Sequence, residues 1–75
     1  MKIEIFGQLV DIIGGSSLEI DTLASTDELK SKLFELYPLL KQKTFLIALN
    51  QKIINQNSSI EKESEIALLP PYSGG

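Results

Sequence analysis

The amino-acid sequence predicts an α+β domain in which one helix packs across a mixed β-sheet. Short segments near both ends of the chain have the apolar or alternating pattern of β-strands, and one longer segment between them has helical periodicity. The elements follow the order strand, strand, helix, strand, short strand, strand. In such a sheet the first and last strands lie parallel in the middle, joined by a crossover that includes the helix.

The first predicted strand opens the chain, where charged and apolar side chains alternate. Ile3 and Ile5 point to one face of this strand, whereas Phe6 falls on the opposite, charged face. The Gly14-Gly15 pair indicates a turn, and alternation resumes at residues 18–20 as a second strand. The chain is therefore expected to begin with a hairpin-like pair of strands.

The helix is predicted to begin at a capping box. In this motif the Ser25 hydroxyl and the Glu28 carboxylate accept hydrogen bonds from backbone amides that the first helical turn leaves unpaired. The apolar stripe that follows consists of Leu29, Leu33 and Leu36. Glu28 and Lys32 have the spacing of an exposed ion pair, and Pro38 is expected to end the helix.

The second half of the chain supplies the remaining strands. Thr44–Leu49 is apolar on both faces, which is typical of a central strand, and Asn50-Gln51 separates it from a short strand at residues 52–54. Ile66–Leu69 is the last predicted strand. Pro70-Pro71 ends it, because proline has no amide hydrogen to donate to a neighbouring strand.

Composition excludes several classes of function. With 75 residues, 43% hydrophobic and 23% charged, the chain is expected to form one ordinary globular domain. It lacks cysteine and histidine, which removes disulfides, imidazole bases and almost all zinc or iron sites, so no metal is expected. The formal charge of -3 disfavours nucleic acid as a partner. No apolar run approaches the roughly 20 residues of a membrane span, and we expect a cytoplasmic protein.

The six residues after the last strand differ in character from the rest. We assign residues 1–69 to the folded domain and residues 70–75 to a flexible C-terminal tail. Extended at about 3.3 Å per residue, this tail reaches about 20 Å, far enough to enter another protein's active site. Gly74 and Gly75 allow the backbone to pass a channel too narrow for a β-carbon. The candidate reactive group is the terminal carboxylate of Gly75.

Three segments carry a resemblance to a known family: Ile5–Leu9, Ala48–Gln51 and Ile66–Gly75. Together they resemble the small, sulfur-carrying subunits of molybdopterin synthase, over essentially the whole chain and most specifically at its C-terminal end. That family has the β-grasp, ubiquitin-like fold, which agrees with the predicted order of elements. Tyr72 and Ser73 depart from the small residues frequent in the family, and Tyr72 implies a wider channel entrance in the partner.

The resemblance implies a mechanism. A ubiquitin-activating-type enzyme would adenylate the Gly75 carboxylate with ATP, and a persulfide from a sulfur-donor system would convert the adenylate into a thiocarboxylate. The tail would then enter the large subunit of a heterotetrameric molybdopterin synthase and pass its sulfur to cyclic pyranopterin monophosphate. In this scheme Gly75 carries the sulfur and Gly74 gives access. The resemblance also implies that the chain binds no permanent cofactor and acts as a co-substrate rather than as the catalytic subunit.

Strand parity also predicts a docking surface at the root of the tail. Phe6 and Leu69 fall on the outer face of neighbouring strands, and either Ile53 or Ile54 extends the surface, because these two neighbours point to opposite faces. The predicted partner-binding residues are Phe6, Ile53, Leu69, Pro70, Pro71, Tyr72 and Ser73. We expect the activating enzyme and the large subunit to use this surface in turn.

Two alternatives remain open from the sequence. A sulfur carrier of the thiamine pathway shares the fold, the Gly-Gly terminus and the activation chemistry, although it usually lacks the Pro-Pro pair. A protein modifier or plain interaction module would use the same fold, with the tail either conjugated to lysines or unreactive. The partner bound and the mass of the chain isolated from cells distinguish these possibilities.

Overall fold

A computed structural model gives the fold and describes residues 1–71. The strands within this range are β1 (Lys2–Ile5), β2 (Ser17–Glu19), β3 (Leu46–Leu49), β4 (Lys52–Ile54) and β5 (Ile66–Leu69). The α-helices there are α1 (Leu9–Ile13) and α2 (Thr26–Leu36), and a 3-10 helix spans Pro38–Gln42. The predicted order of strands and main helix is confirmed, with two short helices added.

The strands form one mixed sheet in the order β2-β1-β5-β3-β4. β1 and β5 run parallel, with Ile3 opposite Ile66 and Ile5 opposite Leu68, and each other neighbouring pair is antiparallel. The predicted central, parallel placement of the first and last strands is confirmed. Because β5 is hydrogen-bonded on both sides, the chain that follows it leaves from the middle of the sheet.

The core lies between one face of this sheet and α2. Ile3 of β1 and Leu68 of β5 are fully buried, and so are Leu29 and Leu33 of α2. Burial of each such side chain stabilises the fold by about 1.5–3 kcal/mol. The strict alternation of β1 and β5 therefore has a direct energetic cause, since a shift of one residue in register would expose every one of these strand side chains.

One member of the predicted helical stripe does not reach the core. Leu36 is 44% exposed, whereas Leu40 in the following 3-10 helix is fully buried. The cause is Pro38, which ends α2 after Leu36 and begins the 3-10 helix, whose buried residue is Leu40. The prediction that Leu36 completes the buried stripe is wrong.

The capping box at the start of α2 is present in a shifted form. The Ser25 hydroxyl accepts a hydrogen bond from the Glu28 amide at 3.3 Å, while the Glu28 carboxylate accepts from the amide of Ala24 at 3.2 Å. Since Glu28 is used at the helix start, the predicted Glu28–Lys32 pair does not form. Lys32 instead lies 3.6 Å from Glu35.

The short helix α1 occupies a segment that was predicted as a hairpin connection. Leu9 and Ile13, four residues apart, are 4% and 9% exposed and bury one side of this single turn. Gly14 ends the helix with a φ of +92°, a left-handed conformation that glycine adopts without steric cost. A five-residue helix is too short to give a periodic sequence signal, which is why the pattern indicated only a turn.

A buried threonine fastens the start of α2 to the segment before β5. Thr26 is 2% exposed, and its hydroxyl accepts a hydrogen bond from the Ser58 amide at 2.9 Å. The Thr26 amide donates to the Ser58 carbonyl at 2.9 Å, and the Asn57 side-chain carbonyl accepts from the Asp27 amide at 3.0 Å. Helix and loop thus satisfy each other's backbone groups across about thirty residues of chain.

We expect Thr26→Val to lower the free energy of unfolding by about 1–3 kcal/mol, because it leaves the partly buried Ser58 amide without its acceptor. Denaturant titration measures the change. Thr22→Val, at an exposed threonine, is the matched control and is expected to change stability by less than about 0.5 kcal/mol. Equal effects of the two substitutions would show that the Thr26 hydroxyl contributes nothing.

Candidate functional site

The root of the tail lies at the end of the central strand pair. The Phe6 amide donates to the Leu68 carbonyl at 3.1 Å, which extends the β1–β5 ladder by one residue beyond β1. Two residues after Leu68, the position whose amide would form the next bond of this ladder is Pro70. Proline has no amide hydrogen, so the ladder cannot continue there. The sheet therefore ends at Leu69, as the sequence predicts.

The predicted tail residues fall partly inside the described range. Pro70 is half-buried against the body of the domain, and Pro71 is exposed. The roles predicted for Tyr72, Ser73, Gly74 and Gly75 concern positions outside the described residues. The geometry of the site is therefore that of the tail's root and of the sheet surface beside it.

One face of the sheet carries an apolar surface next to this root. Phe6 and Ile53 are 47% and 57% exposed, and Leu69 is half-buried. We define the outer-face patch by the apolar side chains that strand parity and register place on this face: Phe6, Leu46, Ala48, Ile53, Ala67 and Leu69. The three predicted side chains thus lie on the same face, and the patch adjoins the position where the chain leaves β5.

Register decides which isoleucine of β4 belongs to the outer-face patch. Ile54 lies opposite Ile47, whose side chain is buried in the core, whereas Ile53 lies opposite Ala48 on the outer face. The β3–β4 register is set by a two-residue turn in which Asn50 and Gln51 have φ values of 52° and 71°. This geometry resolves the choice that the sequence left open in favour of Ile53.

A charged pair borders the patch on the β1 side. Lys2 and Glu4 lie on the outer face of β1. The Lys2 Nζ and the Glu4 Oε1 are 3.7 Å apart, and more than half of each side chain is exposed. Exposed pairs of this kind stabilise a fold by only about 0–1 kcal/mol. Their position makes the surface polar at one margin and apolar in the middle, the arrangement of a protein-docking surface.

Gly7 occupies the loop between β1 and α1, directly beside the root of the tail. Its φ is +63°, and a Cβ added to it would lie 2.8 Å from the Cγ and 3.2 Å from the Cδ of Pro70. The bare Cα of Gly7 is therefore in close contact with the proline ring. Any larger residue would meet both a steric clash and an unfavourable backbone conformation.

Sequence reasoning missed two participants in this arrangement. Leu46 was not separated from its neighbours, because Thr44–Leu49 is apolar on both faces; only its pairing with Leu69 places it in the outer-face patch. Gly7 carried a weak signal, a glycine between a strand pattern and an apolar segment. Its contact with Pro70 joins positions at opposite ends of the chain and has no local signature.

The described part of the chain holds few other chemical groups. Residues 1–71 contain no cluster of three or more acidic side chains placed to bind a metal ion. No helix among them has the length and apolar character needed to cross a membrane. Thr26 is the buried polar side chain of this range, and its hydrogen bonds hold α2 in place.

A five-stranded mixed sheet with parallel central strands and one helix across it defines a ubiquitin-like, β-grasp protein. The fold matches the crystal structure of SAMP1 from Haloferax volcanii with a TM-score of 0.77 over 99% of this chain and 97% of that one, at 20% sequence identity. At that identity the likeness establishes the fold alone. It confirms the predicted fold class.

The chain belongs to the ThiS family, which it matches over residues 3–75. A curated relative, the molybdopterin synthase sulfur carrier subunit of Caenorhabditis briggsae, is 33% identical over 81 aligned positions that cover all of this chain and 96% of the relative. A solved complex of subunits 1 and 2 of molybdopterin-converting factor from Helicobacter pylori contains a chain that is 29% identical in sequence to the present one. The two chains superpose with a TM-score of 0.72, over 99% of this chain and 96% of that one. The resemblance noted in the sequence is thereby confirmed.

Proposed function

We propose that this chain is a sulfur carrier of molybdenum cofactor biosynthesis, with the C-terminal carboxylate of Gly75 as its working group. The observation that carries the proposal is the full-length relationship to molybdopterin synthase sulfur carrier subunits. The place where the chain leaves the sheet supports it, since β5 is hydrogen-bonded to a strand on either side and forms a rigid base for the residues that follow. Such a base suits delivery of a chain end into another protein.

The proposed chemistry begins with activation of the carboxylate. A carboxylate is a poor electrophile, so an adenylating enzyme transfers AMP from ATP to Gly75 and releases pyrophosphate. The resulting mixed anhydride is attacked by a persulfide sulfur, AMP leaves, and a second thiol of the donor system cleaves the sulfur–sulfur bond. The product is a thiocarboxylate at Gly75, and the donor system is left as a disulfide.

In the second stage, we propose, the tail enters the large subunit of molybdopterin synthase. The sulfur passes to cyclic pyranopterin monophosphate, and hydrolysis of the acyl linkage returns the carboxylate. Two carriers are consumed for each dithiolene, which fits a heterotetramer with one carrier for each large subunit. The Helicobacter pylori complex pairs subunits 1 and 2 of molybdopterin-converting factor, and this pairing supports a large-subunit partner for the present chain.

The outer-face patch is the proposed docking surface for these partners. Its exposed members, Phe6 and Ile53, flank a floor formed by Ala48 and Ala67, and Leu69 leads from this floor to the tail. An apolar patch that adjoins the reacting segment allows a partner to bind the body and receive the tail together.

Intact-mass spectrometry of the chain isolated from its native host tests the proposal. A sulfur carrier is expected to contain a population whose mass corresponds to exchange of one oxygen for one sulfur, mapped to the C-terminal peptide. A variant lacking Gly75, expressed in the same cells, is the control and should gain no sulfur. A lysine-linked adduct would instead identify a protein modifier, and an unmodified chain under molybdenum-requiring growth would contradict the proposal.

The identity of the partner protein distinguishes a carrier of the thiamine pathway from the carrier proposed here. Affinity purification of the chain from its host is expected to recover a large molybdopterin synthase subunit. Recovery of a thiazole synthase in its place would move the chain to the thiamine pathway while leaving its carrier chemistry intact.

A further inference from the structure

Gly7 is fixed in space from both sides. On the preceding side, the Phe6 amide is bonded to the Leu68 carbonyl of β5 at 3.1 Å. On the following side, the Gly7 carbonyl accepts a hydrogen bond from the Val10 amide at 3.2 Å, and α1 is anchored in the core through Leu9, which is 4% exposed. The glycine therefore belongs to the rigid body of the domain rather than to a loose loop.

Pro70 depends on this glycine for its place. Proline has no amide hydrogen, so the hydrogen-bond ladder that holds β5 cannot hold the residue after Leu69. The Pro70 ring instead packs against the Cα of Gly7. The approach is so close that a Cβ added to Gly7 would lie 2.8 Å from the ring. Packing against Gly7 thus takes over where the ladder ends, and Pro71, with its own fixed φ, continues from that point.

We propose that Gly7 is a positioning residue for the C-terminal tail: it forms the seat on which Pro70 packs, and it thereby fixes the direction in which the tail enters a partner's active site. This inference rests on the proposed function, since it concerns how the reactive chain end is presented. Gly7 touches neither substrate nor the reacting carboxylate; it acts through Pro70.

The expected consequence of a side chain at Gly7 is a loss of turnover that is larger than the loss of binding. Displacing reacting groups by about 1 Å can cost roughly 100-fold in rate, even when the change lies far from the chemistry. A side chain at Gly7 would push the Pro70 ring away and redirect the tail, while the exposed side chains of the outer-face patch, Phe6 and Ile53, stay in place. Affinity for the partner should therefore fall much less than turnover, because only the contacts of the tail are displaced.

Gly14 provides a matched control for the backbone strain. Its φ is +92°, also left-handed, but an added Cβ would meet nothing within 4 Å. Gly14→Val therefore introduces the conformational penalty without a clash at the tail, whereas Gly7→Val introduces both. If Gly7→Val does not fold, Gly7→Ala compared with Gly14→Ala provides the same test with a single methyl group.

The experiment measures turnover at saturating carrier with the host's large synthase subunit, affinity for that subunit, and thermal unfolding, on the thiocarboxylated full-length chain. We expect Gly7→Val to lower kcat at least about tenfold with a much smaller loss of affinity, and Gly14→Val to leave both unchanged. Equal kcat values for the two variants would overturn the positioning role, because strain alone would then account for any loss.

A second readout is independent of sulfur chemistry. The nuclear Overhauser effect between the Gly7 Hα protons and the Pro70 ring protons is expected in the wild-type chain and in Gly14→Val. Its absence from the wild type would refute the seat directly. Failure of the wild-type chain to acquire or transfer sulfur, with this contact intact, would instead refute the proposed function and the positioning role that rests on it.

Discussion

Deletion of Gly75 is expected to abolish sulfur transfer while leaving the folded domain intact. The fully buried core side chains of the described range end at Leu68. Gly75 has no side chain to contribute to a core, so the domain is expected to keep its stability without it. Its removal does shorten the tail by roughly 3.3 Å and moves the carboxylate out of reach of an active site built for the full length. Adenylation and transfer should fall to background.

Thermal unfolding and synthase turnover would be measured on the same preparation of this variant. A chain extended by one residue beyond Gly75 is expected to fail in the same way, since its carboxylate stands too far along the channel. Lys43→Ala, at an exposed residue outside the tail and the outer-face patch, keeps both the length and the carboxylate and serves as the control. Product formation by the truncated chain would rule out Gly75 as the sulfur-bearing residue.

Charged substitutions in the outer-face patch are expected to weaken the binding of both partners. Phe6→Glu and Leu69→Glu each place a carboxylate where a partner would cover apolar surface, and each should cost about 2 kcal/mol, or roughly 30-fold in affinity. Both variants are checked for folding by circular dichroism and then titrated against the adenylating enzyme and the large subunit.

Leu39 offers a matched control for this experiment. It is 57% exposed, as accessible as Ile53, but it lies in the 3-10 helix rather than on the outer face of the sheet. Leu39→Glu should leave both affinities unchanged. Because both partners are expected to cover the same patch, each should displace the other in competition. A ternary complex would disprove shared use, and unaltered binding by the Phe6 and Leu69 variants would disprove the docking surface itself.

The sequence by itself determined the elements whose causes are local. Alternation in β1 and β5 follows from burial of one face of a strand, and the start of α2 follows from the Ser25 hydroxyl satisfying an amide three residues away. The end of β5 follows from the chemistry of proline alone. Each of these signals lies within a few residues of the structure it predicts, and each was confirmed.

Tertiary structure alone decided the features that join distant parts of the chain. Thr26 is hydrogen-bonded to Ser58, which lies 32 positions later in the sequence. The contact of Gly7 with Pro70 likewise joins segments near the two ends of the chain. Pairing of β3 with β4 and β5 chose Ile53 over Ile54 and added Leu46 to the outer-face patch. Burial of these contacts depends on which strands become neighbours, and strand order is set by packing of the whole sheet rather than by any short segment of sequence.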